Sequence, residues 1–198
     1  MSVRIIVPHR GLAAAKTRLA PVLDDEEREA LARRLLIQVL GVAHRACGDV
    51  VVITPSQALE PLVGTAGARL VVQRGLGLNA GLDQARQEAM ADGVTTLGVL
   101  NADLPNLTTD DVAALIDALP EAGGVAIAPD RAGSGTNALA LRPPDAIEFR
   151  FGAGSFAAHA AAAEEAGTTL IEVHRPGLAF DLDTPADLAR WLELGDVA

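Results

Sequence analysis

The chain has 198 residues, 49% hydrophobic and 21% charged, which supplies enough apolar material for a closed core and excludes wholesale disorder. Lys and Arg total 16 against 26 Asp and Glu, a formal net charge of −10, so a protein that coats nucleic acid or binds an anionic membrane is not expected. No apolar run approaches the roughly 20 residues of a bilayer span, "MSVRIIVPHR" lacks the features of a secretory leader, and the lone Cys47 excludes an internal disulfide, so the expectation is a cytoplasmic protein.

In chain order, "VRIIV" (Val3–Val7) predicts a buried strand. Residues 24–46 predict an amphipathic helix, with Asp24, Asp25, Glu26 and Glu27 in its first turn, where the helix dipole favours carboxylates. "DVVVIT" (Asp49–Thr54), "ARLVVQ" (Ala68–Gln73) and "TTLGVLNAD" (Thr95–Asp103) predict three more strands, separated by helix-compatible stretches. A helix over Thr108–Leu119 follows, then strands over Gly123–Asp130 and Thr136–Arg142. Helices over Ser155–Gly167 and Thr184–Leu194, with a strand over Thr168–His174 between them, complete the pattern. No linker or repeat interrupts it, so one domain over 1–198 is expected. Such alternation implies an α/β fold: a mainly parallel sheet, helices on both faces, and ligands beyond the carboxyl ends of the strands.

Several segments at that edge carry chemistry. Fifteen of the sixteen basic residues are arginines; the one lysine, Lys16, lies in "PHRGLAAAKTRLAP" directly after the first strand, with Arg10 and Arg18 beside it. Three cations there suit a polyphosphate, or else form a solvated basic loop. "GLGLNAG" (Gly75–Gly81) has the wrong spacing and place for a dinucleotide fingerprint and reads as a loop near a ligand or a helix entry. "NADLP" puts Asp103 just past the fourth strand, and "FDLDTPADL" puts Asp181 and Asp183 on one side of an extended segment. Carboxylates on separate strand ends suit Mg²⁺, although Asp183 also reads as a helix N-cap. In "FRFGAGSFAAH", Gly152, Gly154 and Ser155 precede a helix and form an anion site, or Ser155 is simply its cap and His159 an exposed helix residue.

Together "PHRGLAAAKTRLAP", "GLGLNAGL", "NADLPNL", "PDRAGSGTNAL", "FRFGAGSFAAH" and "GLAFDLDTPADL" resemble the guanylyltransferases of deazaflavin coenzyme F-420 biosynthesis, which act on 2-phospho-L-lactate, phosphoenolpyruvate or 3-phospho-D-glycerate. The resemblance spans nearly the whole chain. It implies a Rossmann-like nucleotidyltransferase domain of the glycosyltransferase-A type. It also implies Mg²⁺ on Asp103, Asp181 and Asp183, with Lys16 and Asp103 catalytic. Arg10, Lys16, Arg18, Gly77 and Asn79 are the residues it implies for GTP, and Thr136, Gly152 and Ser155 those for the phospho-acid. One departure stands out: where the family reads P-V-K-P-L, this chain has Pro8-His9-Arg10-Gly11-Leu12.

The activity so implied moves GMP from GTP onto the phosphate of a three-carbon acid, with release of pyrophosphate. A phosphate monoester is mostly dianionic at neutral pH and is already a nucleophile, which fits the lack of any Ser-His-Asp or Cys-His set. Two alternatives stay open at this stage. One is the same fold acting on a molybdopterin or a sugar phosphate, and the other is a non-catalytic nucleotide-binding domain. The arginine-rich, high-GC composition leans toward phosphoenolpyruvate, and the apolar content leaves room for a homodimer patch.

Overall fold

The computed structural model describes residues 2–195. Its elements in chain order are β1 (Val3–Pro8), α1 (Asp25–Cys47), β2 (Val50–Thr54), α2 (Glu60–Thr65), β3 (Arg69–Val72), α3 (Leu78–Ala91) and β4 (Thr96–Leu100). They continue as α4 (Thr109–Asp117), β5 (Gly124–Pro129), β6 (Thr136–Arg142), α5 (Ser155–Glu165), β7 (Leu170–Glu172), α6 (Pro176–Ala179) and α7 (Pro185–Gly195). The strands form one sheet in the order β3-β2-β1-β4-β6-β5-β7. All neighbours are parallel except β6, which runs antiparallel to both β4 and β5. The expected mixed, mainly parallel sheet is therefore observed.

Burial on both faces explains the uninterrupted apolar strands: every residue of β2, β4 and β5 is buried. On β1, Ile5 and Val7 face one layer, with Leu36, Val39, Leu40 and Leu115 from α1 and α4. Ile6 faces the other, with Leu82 and Ala85 of α3 and Ala162 and Ala163 of α5. Helix α1 starts on an Asp24–Glu27 capping box and stops at Gly48, whose φ of 78° places it in the left-handed region that favours glycine. Helix α4 starts on a second such box, between Thr108 and Asp111.

Element boundaries shift by a few residues from expectation. Helix α6 lies in a stretch assigned no element from sequence, because four residues carry no readable periodicity. β7 shrinks to three residues at the sheet edge, with Ile171 exposed. Among the described residues no helix is long and apolar enough to cross a membrane.

This topology positions the site. Chain direction across the sheet reverses between β1, which is followed on one side by β2 and β3, and β4 on its other side. Ligands of open α/β sheets bind outside the carboxyl ends at such a point. The loops that leave β1 and β4 there carry Lys16 and Asp103. The Leu182 amide donates to the Asp103 carbonyl at 3.0 Å, which brings the 181–183 segment to the same edge.

Candidate active site

At the carboxyl edge of β1 and β4 the Lys16 ammonium donates to Asp103 Oδ2 at 2.8 Å and to Asp183 Oδ1 at 3.1 Å. Arg18 Nη1 reaches Asp183 Oδ2 at 3.2 Å from a largely exposed position, whereas the Lys16 side chain is only 7% exposed. Lys16 is also the one non-glycine among the described residues with positive φ, at 55°. Backbone strain of that kind gathers at functional sites, and here it delivers a buried ammonium between two carboxylates. Asp103 Oδ1 is buried and has no hydrogen-bond partner. An unpartnered buried carboxylate oxygen beside two that are held has the chemistry to meet a cation.

The alternative reading of Asp183 as a helix cap is not what forms. Thr184 caps α7: its Oγ1 accepts from the Asp187 amide, while Asp187 Oδ2 accepts from the Thr184 amide and hydroxyl at 2.9 and 2.7 Å. Burial alone would raise the Asp187 carboxyl, but these bonds, with Arg131 and the Asp183 amide, hold it below the usual range. Asp183 is thereby left to the cations.

The three aspartates expected around one ion lie at one sheet edge but make different bonds. Among the described residues no three His, Cys, Asp or Glu side chains are gathered to hold a metal together. Asp103 and Asp183 converge on Lys16, whereas Asp181 Oδ1 lies against Asn137 Nδ2 at 3.4 Å. Asn137 is itself fixed, donating to the Leu178 carbonyl at 2.9 Å and accepting from Asn101 at 3.2 Å. Burial, then the nearby Asp103 charge, pushes the Asp181 carboxyl upward. Sequence reading missed Asn101 and Asn137; the start of "NADLP" and the Asn of "GTNAL" were the available signals.

Next to the Lys16 cluster opens a cavity of about 660 Å³, within the size range of small-molecule sites. Arg10, Lys16, Arg18, Gly77, Asp103 and Asp183 line it, together with His9, Ile53, Gln73 and Asn101. Gly77 is the cap of α3, so the glycine-rich stretch is a helix entry from residue 78 onward. His9 and Gly11, both departures from the family pattern, are bonded to each other: the Gly11 amide donates to His9 Nδ1 at 3.0 Å. Proline could not stand at position 11, where φ is +101°, nor supply that N–H. Burial first, and Lys16 second, push the His9 imidazole down to about 4.

Asn79, expected to touch GTP, does not line the cavity. Both its amide atoms grip one residue of another loop, Nδ2 donating to the Phe151 carbonyl at 3.0 Å and Oδ1 accepting from the Phe151 amide at 2.9 Å. Thr136, Gly152 and Ser155 also stand apart from the cavity lining. Ser155 is the first residue of α5, after the cap Gly154. The expected free helix end is partly used: the Ser155 amide donates to the Gly152 carbonyl and the Phe156 amide to the Ser134 carbonyl, each at 3.2 Å. His159 is fully buried, not exposed, and meets Thr136 Oγ1 at 3.1 Å.

The sequence from residue 3 to 196 matches the family described as "Guanylyl transferase CofC like". The chain belongs to this family. It is 48% identical over 95% of its length to 91% of a phosphoenolpyruvate guanylyltransferase of Sphaerobacter thermophilus. It is 45% identical over its whole length to 97% of one from Rubrobacter xylanophilus. A 3-phospho-D-glycerate guanylyltransferase of Phenylobacterium zucineum shares 38% identity, over 92% of this chain and 86% of that one. Among solved structures, 4-diphosphocytidyl-2C-methyl-D-erythritol synthase superposes with a TM-score of 0.65 at 14% identity, covering 98% of each chain. At that identity the likeness shows the nucleotidyltransferase fold alone.

Proposed function

We propose that this CofC-like guanylyltransferase transfers GMP from GTP to the phosphate of phosphoenolpyruvate, releasing pyrophosphate and leaving a diphosphate-linked product. The observation that carries the reading is Lys16 shared between Asp103 and Asp183 at the sheet's switch point, beside a cavity of about 660 Å³. Phosphoenolpyruvate is favoured over 3-phospho-D-glycerate because the relatives at 48% and 45% identity carry the former name and the one at 38% the latter.

The donor set fits Mg²⁺. This hard cation takes one or two carboxylates and completes its shell with phosphate and water, and Asp103 with its unpartnered Oδ1 and Asp183 supply the two. When bound there, Mg²⁺ would offset the mutual repulsion of two anionic substrates and the charge that builds at the α-phosphate. Asp181, whose carboxyl already lies close enough to Asp103 to be pushed upward by it, would be a neighbour to the site, held in place by Asn137.

The chain's own groups then divide the work. Lys16 and Arg18 hold the β- and γ-phosphates that leave together as pyrophosphate, Lys16 as a point charge and Arg18 as a planar fork. Arg10, Gly77 and the neutral His9 border the remainder of the nucleotide. Thr136, Gly152 and Ser155 hold the phospho-acid, whose dianionic phosphate attacks without help from a base. The test is pyrophosphate release from GTP with phosphoenolpyruvate, 2-phospho-L-lactate and 3-phospho-D-glycerate in parallel, with ATP and CTP as controls. Release above background with GTP and phosphoenolpyruvate is the expected result; release with none of the acids would overturn the reading.

A further inference from the structure

Next to the residues assigned to the phospho-acid lies a buried histidine that this chemistry does not use. The His159 ring has no exposed surface, and Phe151 packs edge-on against it with 4.8 Å between centroids. The backbone N–H of Arg150 points at its Nε2 from 2.9 Å. An amide N–H can only donate, so Nε2 must be the unprotonated nitrogen, and the proton of the neutral ring is on Nδ1. That nitrogen lies 3.1 Å from Thr136 Oγ1. Nδ1, carrying the proton, cannot accept from the hydroxyl; the ring donates toward Thr136 Oγ1, with the Ser155 backbone as a second partner. Burial, above all, pushes the imidazole down to about 4, which keeps the ring neutral at pH 7.

The consequence falls on Thr136. Its oxygen is occupied by the imidazole proton, and its own hydrogen has no acceptor in the hydrogen bonds of the described residues. Thr136 opens β6, and its carbonyl accepts from Asn101, two residues before Asp103, so the hydroxyl stands at the sheet edge that carries the carboxylates. A polar hydrogen held in so buried a place without an acceptor is costly, and a ligand that supplies the acceptor removes the cost.

We infer that His159 is a positioning residue that fixes the Thr136 hydroxyl as a committed hydrogen-bond donor to an anionic oxygen of the acceptor substrate. The inference rests on the reading above in which Thr136 touches the phospho-acid. Carboxylate and ionised phosphate oxygens only accept, so they match this donor. A ligand offering an N–H or a hydroxyl hydrogen at the same point meets donor against donor. The Arg150 amide and the Phe151 amide and carbonyl bonded to Asn79 belong to the loop that runs into Gly152 and Ser155. One histidine thus ties the orientation of the Thr136 hydroxyl to the placement of the whole acceptor loop.

Two measurements test this. The first is a long-range ¹H–¹⁵N correlation spectrum of the folded protein at pH 7 without substrate, with the His159 ring assigned by comparison with His159→Gln. A neutral ring protonated on Nδ1 is expected; an Nε2-protonated ring or an imidazolium would overturn the inference. The second is steady-state kinetics with GTP and phosphoenolpyruvate. His159→Phe keeps the ring but loses both bonds, and should raise the KM for phosphoenolpyruvate roughly tenfold while the KM for GTP moves less than about twofold. His159→Gln, which keeps a donor and an acceptor, should fall between it and wild type. In a Thr136→Val background, His159→Phe should add less than about a further twofold, because the hydroxyl it orients is gone. Equal rises in both KM values, or costs that simply multiply in the double variant, would mean that His159 only supports the fold. If wild-type protein uses none of the phospho-acids, the failure belongs to the substrate reading, and the spectrum still decides His159.

Discussion

The two halves of the site are built from different materials. On the side proposed for the nucleotide, the loop after β1 presents charged groups around an open cavity, and its central contact is an ammonium shared by two carboxylates. On the side proposed for the acceptor, Thr136, Arg150 and Phe151 are held by neutral hydrogen bonds with His159 and Asn79, away from the cavity. An ammonium this buried is costly to leave unpaired, but beside an open cavity it can exchange one ionic partner for another, a phosphate for a carboxylate. Buried neutral bonds have no such replacement and fix geometry. The contrast fits the reaction proposed: a triphosphate and its metal must enter and leave as pyrophosphate, whereas a small acid is selected by shape and hydrogen-bond polarity.

The sharpest way to break this contrast is at the carboxylates. Asp103→Asn or Asp183→Asn should lower kcat/KM for GTP by about a thousandfold, on the order of 4 kcal/mol of transition-state stabilisation, with the melting temperature changed by only a few degrees. Pyrophosphate release at saturating phospho-acid measures it. A wild-type rate from either variant would remove these residues from the metal role.

Each half also contains one neutral histidine, His9 half-buried and His159 fully buried, and pH tests both. His9 and His159 are each pushed from 6.5 down to about 4, by burial first in both cases. Between pH 6.5 and 4 the unfolded chain therefore binds protons that the native state refuses. Stability is fully present above pH 6.5 and is lost as pH falls toward 4. From pH 7 to pH 5 the loss should be about 2 kcal/mol for each ring. The raised carboxyls of Asp83 and Asp181 work in the opposite direction, so the informative quantity is the difference in slope between wild type and His9→Asn in urea titrations. A slope unchanged by that substitution would place His9 in water.

Lys16→Ala addresses the nucleotide half alone. Loss of the ammonium should raise the KM for GTP roughly ten- to a hundredfold, since a charge-assisted contact to phosphate is lost, and leave the KM for the phospho-acid nearly unchanged. Comparable rises in both would mean that the lysine organises the aspartates for the two substrates alike.

How much of this was legible in the sequence follows the same division. The sheet, its helices and the charged half came through because apolar runs, capping residues and a lone lysine after the first strand are local signals. Lys16, Asp103 and Asp183 share one sheet edge, as their positions led one to expect, whereas the pairing of Lys16 with both carboxylates was not foreseen. The neutral half did not come through. Nothing local marks Asn79 as a clamp on a residue 72 positions away, or His159 as buried; those contacts exist only after α3 and α5 pack on one face of the sheet. The displacement of Asp181 toward Asn137 was hidden for the same reason: Asn137 is fixed by carbonyls of α6, a helix too short to read.

Asn79 gives the finest test, because the resemblance puts it on GTP whereas its bonds run to Phe151, in the loop proposed for the acceptor. As a nucleotide contact, its truncation would raise the KM for GTP. As a clamp it holds the Phe151 amide and carbonyl, one residue before Gly152, and Phe151 in turn packs on His159. Asn79→Ala removes both bonds and lets the acceptor loop move away from α3. Two neutral hydrogen bonds are worth about 1 kcal/mol each, part of which water recovers, so the KM for the phospho-acid should rise by about tenfold and that for GTP by less than about twofold. Asn79→Asp keeps the acceptor for the Phe151 amide but sets a carboxylate against its carbonyl, and should do no better than alanine. If instead the KM for GTP rises alone, Asn79 faces the nucleotide in the working enzyme and the division between the two halves falls on the other side of α3.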